Sequence, residues 1–254
     1  MSDLADKRIV VAGASKGLGY VCAKRLEEEG ARLALLARSG ARLEKLTASF
    51  SDPGRHIAIP GDLADFGKLP ELVRKAEDFL SGVDVVLHFV GGSGPDGHLP
   101  PWEQVERVFK LNVGIGMEIN RLLLPKMVEQ GKGNVVHVGS LASSEAGPSV
   151  GYNAAKAALA AYVRTVGREV ASSGVVVTGI LPGAFDAPDN VFARLKKWKP
   201  EVVEELIRER LPRRRLGEAE EIVPLVLLLC SDKASMMGGC CVPVDAGEGR
   251  TYAL

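Results

Sequence analysis

The sequence has no surplus of charge of either sign. Its 254 residues include 32 Lys and Arg and 32 Asp and Glu, so the formal net charge at pH 7 is zero. Proteins that bind nucleic acids or membrane surfaces electrostatically carry a concentrated positive charge. The balance therefore argues against a nucleic-acid partner and against a membrane-surface protein.

Long apolar runs are absent too. The most apolar stretch, IVPLVLLLC at residues 222–230, is far too short to cross a bilayer, which takes about 20 residues. The opening residues MSDLADKRIVVAG place charges before a short apolar segment and show no cleavage-site pattern. We therefore expect no signal peptide, no membrane partner and a cytoplasmic protein.

Cysteine is scarce. The cysteines at positions 22, 230, 240 and 241 have a spacing that fits neither a disulfide framework nor a zinc site. A reducing compartment and no bound metal are expected. The histidines are scattered along the sequence and are interpreted as structural or surface residues: His56, His88, His98 and His137.

What the chain does have is a regular alternation of short β-branched runs with longer helical patterns. Runs such as RIVVAG, RLALLAR and VVVTGILP are continuously apolar, which is typical of parallel strands covered on both faces. No repeat or linker interrupts the chain. The pattern predicts one α/β domain over residues 1–254, a Rossmann-type doubly wound parallel sheet flanked by helices, with a charged, lid-like segment at about 184–215.

A glycine-rich turn, GASKGLG, directly follows the first predicted strand and opens the first helix. The glycines at 13, 17 and 19 would let backbone N–H groups approach a pyrophosphate at the helix N-terminus. Because the spacing is G-x-x-x-G-x-G, a glycine turn without a ligand stays an alternative. Its place between a strand and a helix favours dinucleotide binding.

The second predicted strand ends at Ala37 and Arg38, where NAD-binding proteins carry an acidic residue for the ribose hydroxyl. Here Arg38 and Ser39 follow instead, and Lys16 adds a cation from the glycine turn. Fixed cations of this kind suit a 2′-phosphate. NADP(H) is therefore favoured over NAD(H); the alternative is that Lys16 and Arg38 are ordinary surface cations.

The stretch SVGYNAAKAAL places Tyr152 and Lys156 four residues apart in an Ala-rich helical pattern. This spacing puts both side chains on one helix face. They form either a surface tyrosine with a solubilising lysine or a catalytic pair.

With GASKGLG, Asn112, GSLASS, YNAAK and LPG in this order, the chain resembles the classical short-chain dehydrogenase/reductases over nearly its whole length, the 3-oxoacyl carrier-protein reductases among them. The resemblance implies a catalytic set of Asn112, Ser140, Tyr152 and Lys156. Together with the analysis above it gives this set of candidate NADP(H)-binding residues: Gly13, Ser15, Lys16, Gly17, Leu18, Gly19, Arg38, Ser39, Asp62, Gly91, Pro182 and Gly183.

Several positions depart from the family pattern. Ala12 replaces a threonine, and HFVG at 88–91 replaces Asn-Asn-Ala-Gly, which removes side chains that tie the fourth strand to neighbouring turns. The threonine that usually follows Pro-Gly is missing from AFDAPD. Ser140 precedes Tyr152 by one residue fewer than expected, so Ser143 and Ser144 are fallback candidates.

The resemblance implies a reaction in which a ketone is reduced to a secondary alcohol. A free tyrosine titrates near pH 10, and a cation close to it favours phenolate. Lys156 is expected to lower the pKa of Tyr152, which then acts as the general acid. Ser140 is expected to hold the substrate oxygen, and Asn112 to anchor a water that links Lys156 to solvent.

Substrate and partners are less closely defined. Lid cations such as Arg194 and residues 213–215 would attract an anionic substrate or a carrier-bound thioester, but a solvated charged helix fits them as well. A homodimer or homotetramer is expected from the family, through an Ala-rich helix face at 154–161. Two other functions stay open: a non-catalytic dinucleotide sensor or scaffold, and an NAD-dependent alcohol or sugar dehydrogenase.

Overall fold

The fold is a parallel β-sheet between two layers of helices. The computed structural model of the protein describes residues 3–93, 99–147 and 149–251. Within these residues seven strands form the main sheet. In chain order they are Arg8–Ala12 (β1), Arg32–Ala37 (β2), His56–Pro60 (β3), Val85–His88 (β4), Gly133–Val138 (β5), Val175–Pro182 (β6) and Cys241–Val244 (β9). Two short strands, Phe185–Asp186 (β7) and Gly217–Glu218 (β8), pair separately.

Helices connect successive strands. They are Gly17–Glu28 (α1), Gly40–Thr47 (α2), Leu69–Leu80 (α3), Trp102–Phe109 (α4), Ile115–Glu129 (α5), Val150–Val170 (α6), Val191–Trp198 (α7), Pro200–Glu209 (α8) and Ala219–Leu229 (α9). No helix in the described ranges is both long and apolar enough to span a membrane.

The strand order is β3-β2-β1-β4-β5-β6-β9, and every pairing in the sheet is parallel. The predicted doubly wound Rossmann-type fold is confirmed. The chain reverses its direction of travel across the sheet between β1 and β4, where Ala12 is paired with His88. Such a switch point leaves a crevice at the carboxyl ends of the strands, and ligands of this fold bind there.

Burial on both faces explains why the strands are continuously apolar. In β1, Ile9 and Val11 pack with α1 and α9 on one face, whereas Val10 and Ala12 pack with α3, α5 and α6 on the other. All of these β1 side chains are fully buried. Alternating residues of a strand point to opposite faces, so a sheet covered twice needs apolar residues at every position.

The helical segment over residues 102–129 is interrupted. A π-helical turn, Lys110–Gly114, separates α4 from α5 and contains Asn112. The Asn112 side chain accepts a hydrogen bond from the backbone N–H of Gly92 and donates to the carbonyl oxygens of Gly92 and Val108. Such single π-turns occur often at functional sites.

The charged segment at 184–215 contains α7 and α8 rather than an extended loop. Its apolar side chains, with Val203 and Leu211 buried among them, form a small core of their own. The Asn190 side chain caps α7 by accepting from the Ala193 N–H at 2.8 Å and donates to the Phe185 carbonyl at 2.7 Å. The segment therefore starts from a fixed point beside the end of β6.

Candidate active site

The glycine turn between β1 and α1 allows close approach of backbone atoms. A Cβ on Gly19 would lie 2.4 Å from the Gly13 carbonyl oxygen, and one on Gly13 would lie 2.9 Å from the Phe89 carbonyl carbon. Side chains at these positions would push α1 away from β1 and β4. Since backbone N–H groups at a helix N-terminus bind anions, the turn can hold a pyrophosphate.

The lid segment touches this turn. The Gly17 N–H donates to the Pro188 carbonyl oxygen at 2.6 Å, and a Cβ on Gly17 would contact Asn190. Arg42, on α2, forms a 2.9 Å ion pair with Asp189. The lid therefore starts against the predicted phosphate-binding turn.

Cations gather around Lys16. Partial burial, and then the positive charges of Arg194, Arg38 and Arg42, lower the pKa of Lys16, while Asp189 opposes the shift. The structure thus brings the two sequence-predicted cations together and adds two more, Arg42 and Arg194. Sequence analysis assigned Arg194 to the substrate side and missed Arg42, because nothing in the sequence shows that α2 and the lid meet.

The remaining cofactor candidates line the same edge of the sheet. Asp62 follows β3 and accepts from the Ala64 N–H at 3.1 Å. Ser39 lies at the start of α2, and its side chain makes no capping hydrogen bond. Ser15 and Leu18 lie in the glycine turn, and Leu18 is buried. The candidates from β1, β2 and β3 therefore meet where an adenosine would lie in this fold.

The turn after β6 is held by a residue that sequence analysis missed. The buried Glu248 accepts from the Ala184 N–H at 2.6 Å, and a Cβ on Gly183 would lie 2.6 Å from the same carboxylate. Pro182 ends β6, and Ala187, which stands where the threonine was missing, is buried. The fixed conformation of residues 182–184 therefore depends on a carboxylate near the end of the chain.

Ser140 and Tyr152 face each other. Burial raises the pKa of Tyr152, and a hydrogen bond with Ser140 acts in the opposite direction. Ser140 also accepts from the Ala142 N–H at 3.2 Å. Of the fallback candidates, Ser144 bonds the Leu141 carbonyl and the Ser143 hydroxyl is buried without a hydrogen-bond partner. Of the three serines, Ser140 is the one that acts on Tyr152 through a hydrogen bond.

Lys156 lies behind this pair. Its Nζ is 5.5 Å from the centre of the Tyr152 ring and donates to the Val138 carbonyl oxygen at 2.7 Å. The side chain is buried, and burial lowers the pKa of Lys156 to about 7. The expected lowering of the pKa of Tyr152 by Lys156 is not seen in this structure: the phenol is itself buried, and desolvation outweighs the other influences on it.

Gly91 explains how Lys156 and Asn112 fit together. A Cβ at Gly91 would lie 2.9 Å from Asn112 Oδ1 and 3.5 Å from Lys156 Nζ. A larger residue would therefore separate the end of β4 from both side chains. Because the Asn112 amide already binds Gly92 and Val108, its side chain serves here to hold the β4 loop against the π-turn.

Two of the histidines, distant in the sequence, meet inside the fold. His88 and His137 are buried on adjacent strands with their rings stacked at 4.2 Å between centroids. They meet because β4 and β5 pair with these residues in register. His56 is buried against Phe50, and His98 lies outside the described residues.

The comparisons with known proteins agree with this geometry. A family model described as enoyl-(acyl carrier protein) reductase matches residues 13–248. Dehydrogenase/reductase SDR family member 4 of Rattus norvegicus is 30% identical over 250 residues, covering 96% of this chain and 88% of that protein. A 2-dehydro-3-deoxy-L-rhamnonate dehydrogenase (NAD(+)) of a Sphingomonas species is 28% identical over 252 residues, covering 97% and 96% of the two chains.

Among solved structures, the L-sorbose reductase of Gluconobacter frateurii, complexed with NADPH and L-sorbose, superposes with a TM-score of 0.89 at 25% identity, covering 99% of this chain and 100% of that chain. The fold, the glycine turn and the extent of the family match lead to one assignment. The chain belongs to the short-chain dehydrogenase/reductase family, oxidoreductases that act on CH–OH and C=O groups with a nicotinamide dinucleotide.

Proposed function

We propose that this enzyme uses NADP(H) to reduce a ketone to a secondary alcohol. The observation that carries the proposal is the group of cations near the carboxyl end of β2: the positive charges of Arg38, Arg42 and Arg194 act on Lys16, and the carboxylate that opposes them there, Asp189, already pairs with Arg42. The excess positive charge suits a 2′-phosphate, which carries close to two negative charges at neutral pH. The ribose hydroxyl of NAD(H) would leave that charge unbalanced.

The residues present fit such a cofactor. Backbone atoms lie so close to Gly13 and Gly19 that a Cβ on either residue would clash. The turn therefore presents backbone without side chains where the cofactor phosphates are proposed to bind. Asp62 and Gly91 lie at the ends of β3 and β4, and the fixed turn at Pro182 and Gly183 would flank the nicotinamide. When bound, the reduced nicotinamide would supply the hydride.

Tyr152 is proposed as the general acid. Since burial raises the pKa of Tyr152, the phenol stays protonated at neutral pH and has a proton to donate to a carbonyl oxygen. Ser140, hydrogen-bonded to Tyr152, lies where it can donate to the same oxygen and stabilise the charge that develops there. These protonation states favour the reductive direction.

Lys156 is proposed to restore the proton. With a pKa lowered to about 7, the side chain can both hold and release a proton near neutral pH. One of its N–H groups is fixed on the Val138 carbonyl, which leaves two for the cofactor ribose and for water. Asn112 is proposed to act by holding the β4 loop beside Lys156, because both N–H groups of its amide bond backbone carbonyls and its oxygen accepts from the Gly92 N–H.

The proposed substrate is a ketone such as a 3-oxoacyl thioester or an oxidised sugar. Lid cations give little support to an anionic substrate, since Arg213 and Arg215 both pair with Glu221 and Lys196 pairs with Asp186. The exposed Trp198, on α7, can pack over a ligand bound beneath the lid. The lid charges therefore do not favour a carrier-bound substrate over a free one.

We also propose a cytoplasmic homodimer or homotetramer. On α6, Ala155 packs inside the chain, whereas Ala154, Ala157 and Ala161 are exposed. Small exposed side chains let a second helix approach closely. This exposed face and the family membership support an interface between two copies of the chain.

A thermal-shift titration with NADPH, NADP⁺, NADH and NAD⁺ tests the cofactor proposal, since a ligand that binds only the folded state raises its stability by mass action. Larger shifts with the phosphorylated pair support it. Equal or larger shifts with NADH and NAD⁺ would contradict it and favour an NAD-dependent dehydrogenase, which is the activity of the Sphingomonas relative.

A further inference from the structure

Three buried polar side chains and one partly buried tyrosine form a network that the proposed chemistry does not use. Asn120, on α5, lies between His88 on β4, His137 on β5 and Tyr162 on α6. His88 Nε2 is 2.8 Å from Asn120 Oδ1, and Asn120 Nδ2 is 3.0 Å from both His137 Nε2 and the Tyr162 hydroxyl. The two imidazole rings stack at an interplanar angle of 15°, and the Tyr162 ring meets His137 edge-on.

The hydrogen-bond pattern fits one protonation state of the Nε2 atom in each ring. The Asn120 amide oxygen only accepts, so His88 carries its hydrogen on Nε2; the amide nitrogen only donates, so His137 Nε2 bears a lone pair. His88 Nδ1 is buried without a hydrogen-bond partner. Since no carboxylate takes part in these hydrogen bonds, an uncharged pair of rings fits the site and a charged one would be unbalanced.

Each member of the network shares a structural element with the candidate active site. His88 ends the strand that leads to Gly91. Asn120 lies on the helix that continues from the Asn112 π-turn, and Tyr162 lies on the same helix as Tyr152 and Lys156. His137 is followed on β5 by Val138 and then by Ser140.

The network is also electrostatically linked to Lys156. Burial, then the neighbouring His88 and then Lys156 lower the pKa of His137. Because the Coulomb interaction is mutual, a positive charge on His137 would in turn disfavour the ammonium form of Lys156. Lys156 also contacts the strand that carries His137, because its Nζ donates to the carbonyl oxygen of Val138, the next residue.

We propose that His88, Asn120, His137 and Tyr162 are positioning residues: an uncharged network that fixes β5 against α6, so that Ser140 meets Tyr152 and the Val138 carbonyl meets Lys156. It also ties β4 to α5 through the bond between His88 and Asn120. The inference rests on the proposed roles of Ser140, Tyr152 and Lys156 but not on the choice of cofactor or ketone.

The first test is Tyr162→Phe, which removes one hydrogen bond and keeps the ring. Tyr20→Phe is the matched control, because Tyr20 is half-buried on α1 at the opposite face of the sheet. The ionisation of Tyr152 is measured by difference. Each protein is titrated with and without an additional Tyr152→Phe substitution, and the phenolate absorbance that this substitution removes belongs to Tyr152. We expect Tyr162→Phe to raise the pKa of Tyr152 by about one unit, a tenfold change in ionisation, because the Ser140 bond that lowers it is loosened.

The control should leave the pKa of Tyr152 unchanged. If Tyr162→Phe lowers Tm but the Tyr152 titration coincides with that of the parent protein, the network only supports the fold and the inference is overturned. Neither measurement needs a cofactor or a substrate, so its failure is distinguishable from failure of the NADP(H) or ketone proposals.

The second test is nitrogen NMR of the histidine side chains in the ¹⁵N-labelled full chain. The expected spectrum at neutral pH shows His88 with its hydrogen on Nε2, His137 with its hydrogen on Nδ1, and neither ring charged. An imidazolium at either position, or rings that exchange between tautomers, would contradict a fixed uncharged network.

Discussion

The Lys156 ammonium is held by one backbone oxygen: its Nζ lies 2.7 Å from the Val138 carbonyl. The side chain is buried, only 3% exposed, and burial lowers the pKa of Lys156 from 10.5 to about 7. A cation held this way costs folding stability and is retained where it serves function. Stability and activity should therefore respond in opposite directions to its removal.

We expect Lys156→Met to abolish reduction and yet stabilise the protein at neutral pH. Between pH 10.5 and about 7 the unfolded chain binds a proton at Lys156 that the folded chain does not. The titration of Lys156 therefore does not lower the free energy of unfolding above this window and lowers it as pH falls through the window. The gain at pH 7 should be on the order of 2–4 kcal/mol. Urea unfolding at neutral pH and above the window measures it; the surface variant Lys197→Met is the control.

Tyr152→Phe should remove turnover while cofactor binding persists. The phenyl ring preserves the buried packing, and only the proton donor and its bond with Ser140 are lost. General acid catalysis contributes roughly 10²–10⁴-fold, so kcat should fall by about that factor. Ketone-dependent oxidation of NADPH and NADPH fluorescence measure the two properties. Unchanged turnover would mean that another group donates the proton and would contradict the assignment.

Arg38→Ala should weaken NADPH binding selectively. A hydrogen bond between charged groups contributes about 1.5–3 kcal/mol, so the Kd for NADPH should rise by roughly 10–100-fold, while the Kd for NADH changes little. The matched control is Lys197→Ala, which removes a cation from the lid helix α7 instead. Calorimetric titration with both cofactors measures the ratio. Equal losses for the two cofactors would show that Arg38 does not contact a 2′-phosphate.

The sheet and the glycine turn could be predicted because their signals are local. RIVVAG followed by GASKGLG encodes a strand, a backbone turn and a helix in consecutive residues, and the structure has β1 in the RIVVA run and starts α1 inside the glycine turn. The pairing of Tyr152 with Lys156 is likewise a property of helix periodicity. Ser140 followed from the family pattern, and the structure brings it to Tyr152.

Contacts between distant segments could not be predicted from these local signals. The ion pair of Arg42 with Asp189 and the bond from Gly17 to Pro188 depend on where the lid lies. The π-turn at Asn112 results from contacts with Gly92, twenty residues earlier in the chain. The stacking of His88 on His137 follows from the register of β4 and β5, which a single sequence does not specify.

That histidine pair should make the protein sensitive to acid. Burial lowers the pKa of His88 from 6.5 to about 4, and burial, His88 and Lys156 lower that of His137. Below about pH 6.5 the unfolded chain binds protons at these histidines that the folded chain does not bind. Their titration therefore leaves the free energy of unfolding unchanged above pH 6.5 and lowers it as pH falls toward 4. Each histidine should add about 1.4 kcal/mol of lost stability per pH unit in that window.

The double variant His88→Asn, His137→Asn puts an amide in place of each imidazole. Neither position can then titrate. Its free energy of unfolding is measured with urea from about pH 7 to about pH 5. As the pH falls, this free energy should decrease less steeply than that of the parent protein, and the two slopes should differ by up to twice the contribution of a single histidine. The difference between the two curves at neutral pH serves as the baseline for packing changes. Parallel curves across the whole range would show that the two rings take up protons as readily in the folded protein as in the unfolded chain, contrary to their burial and stacking.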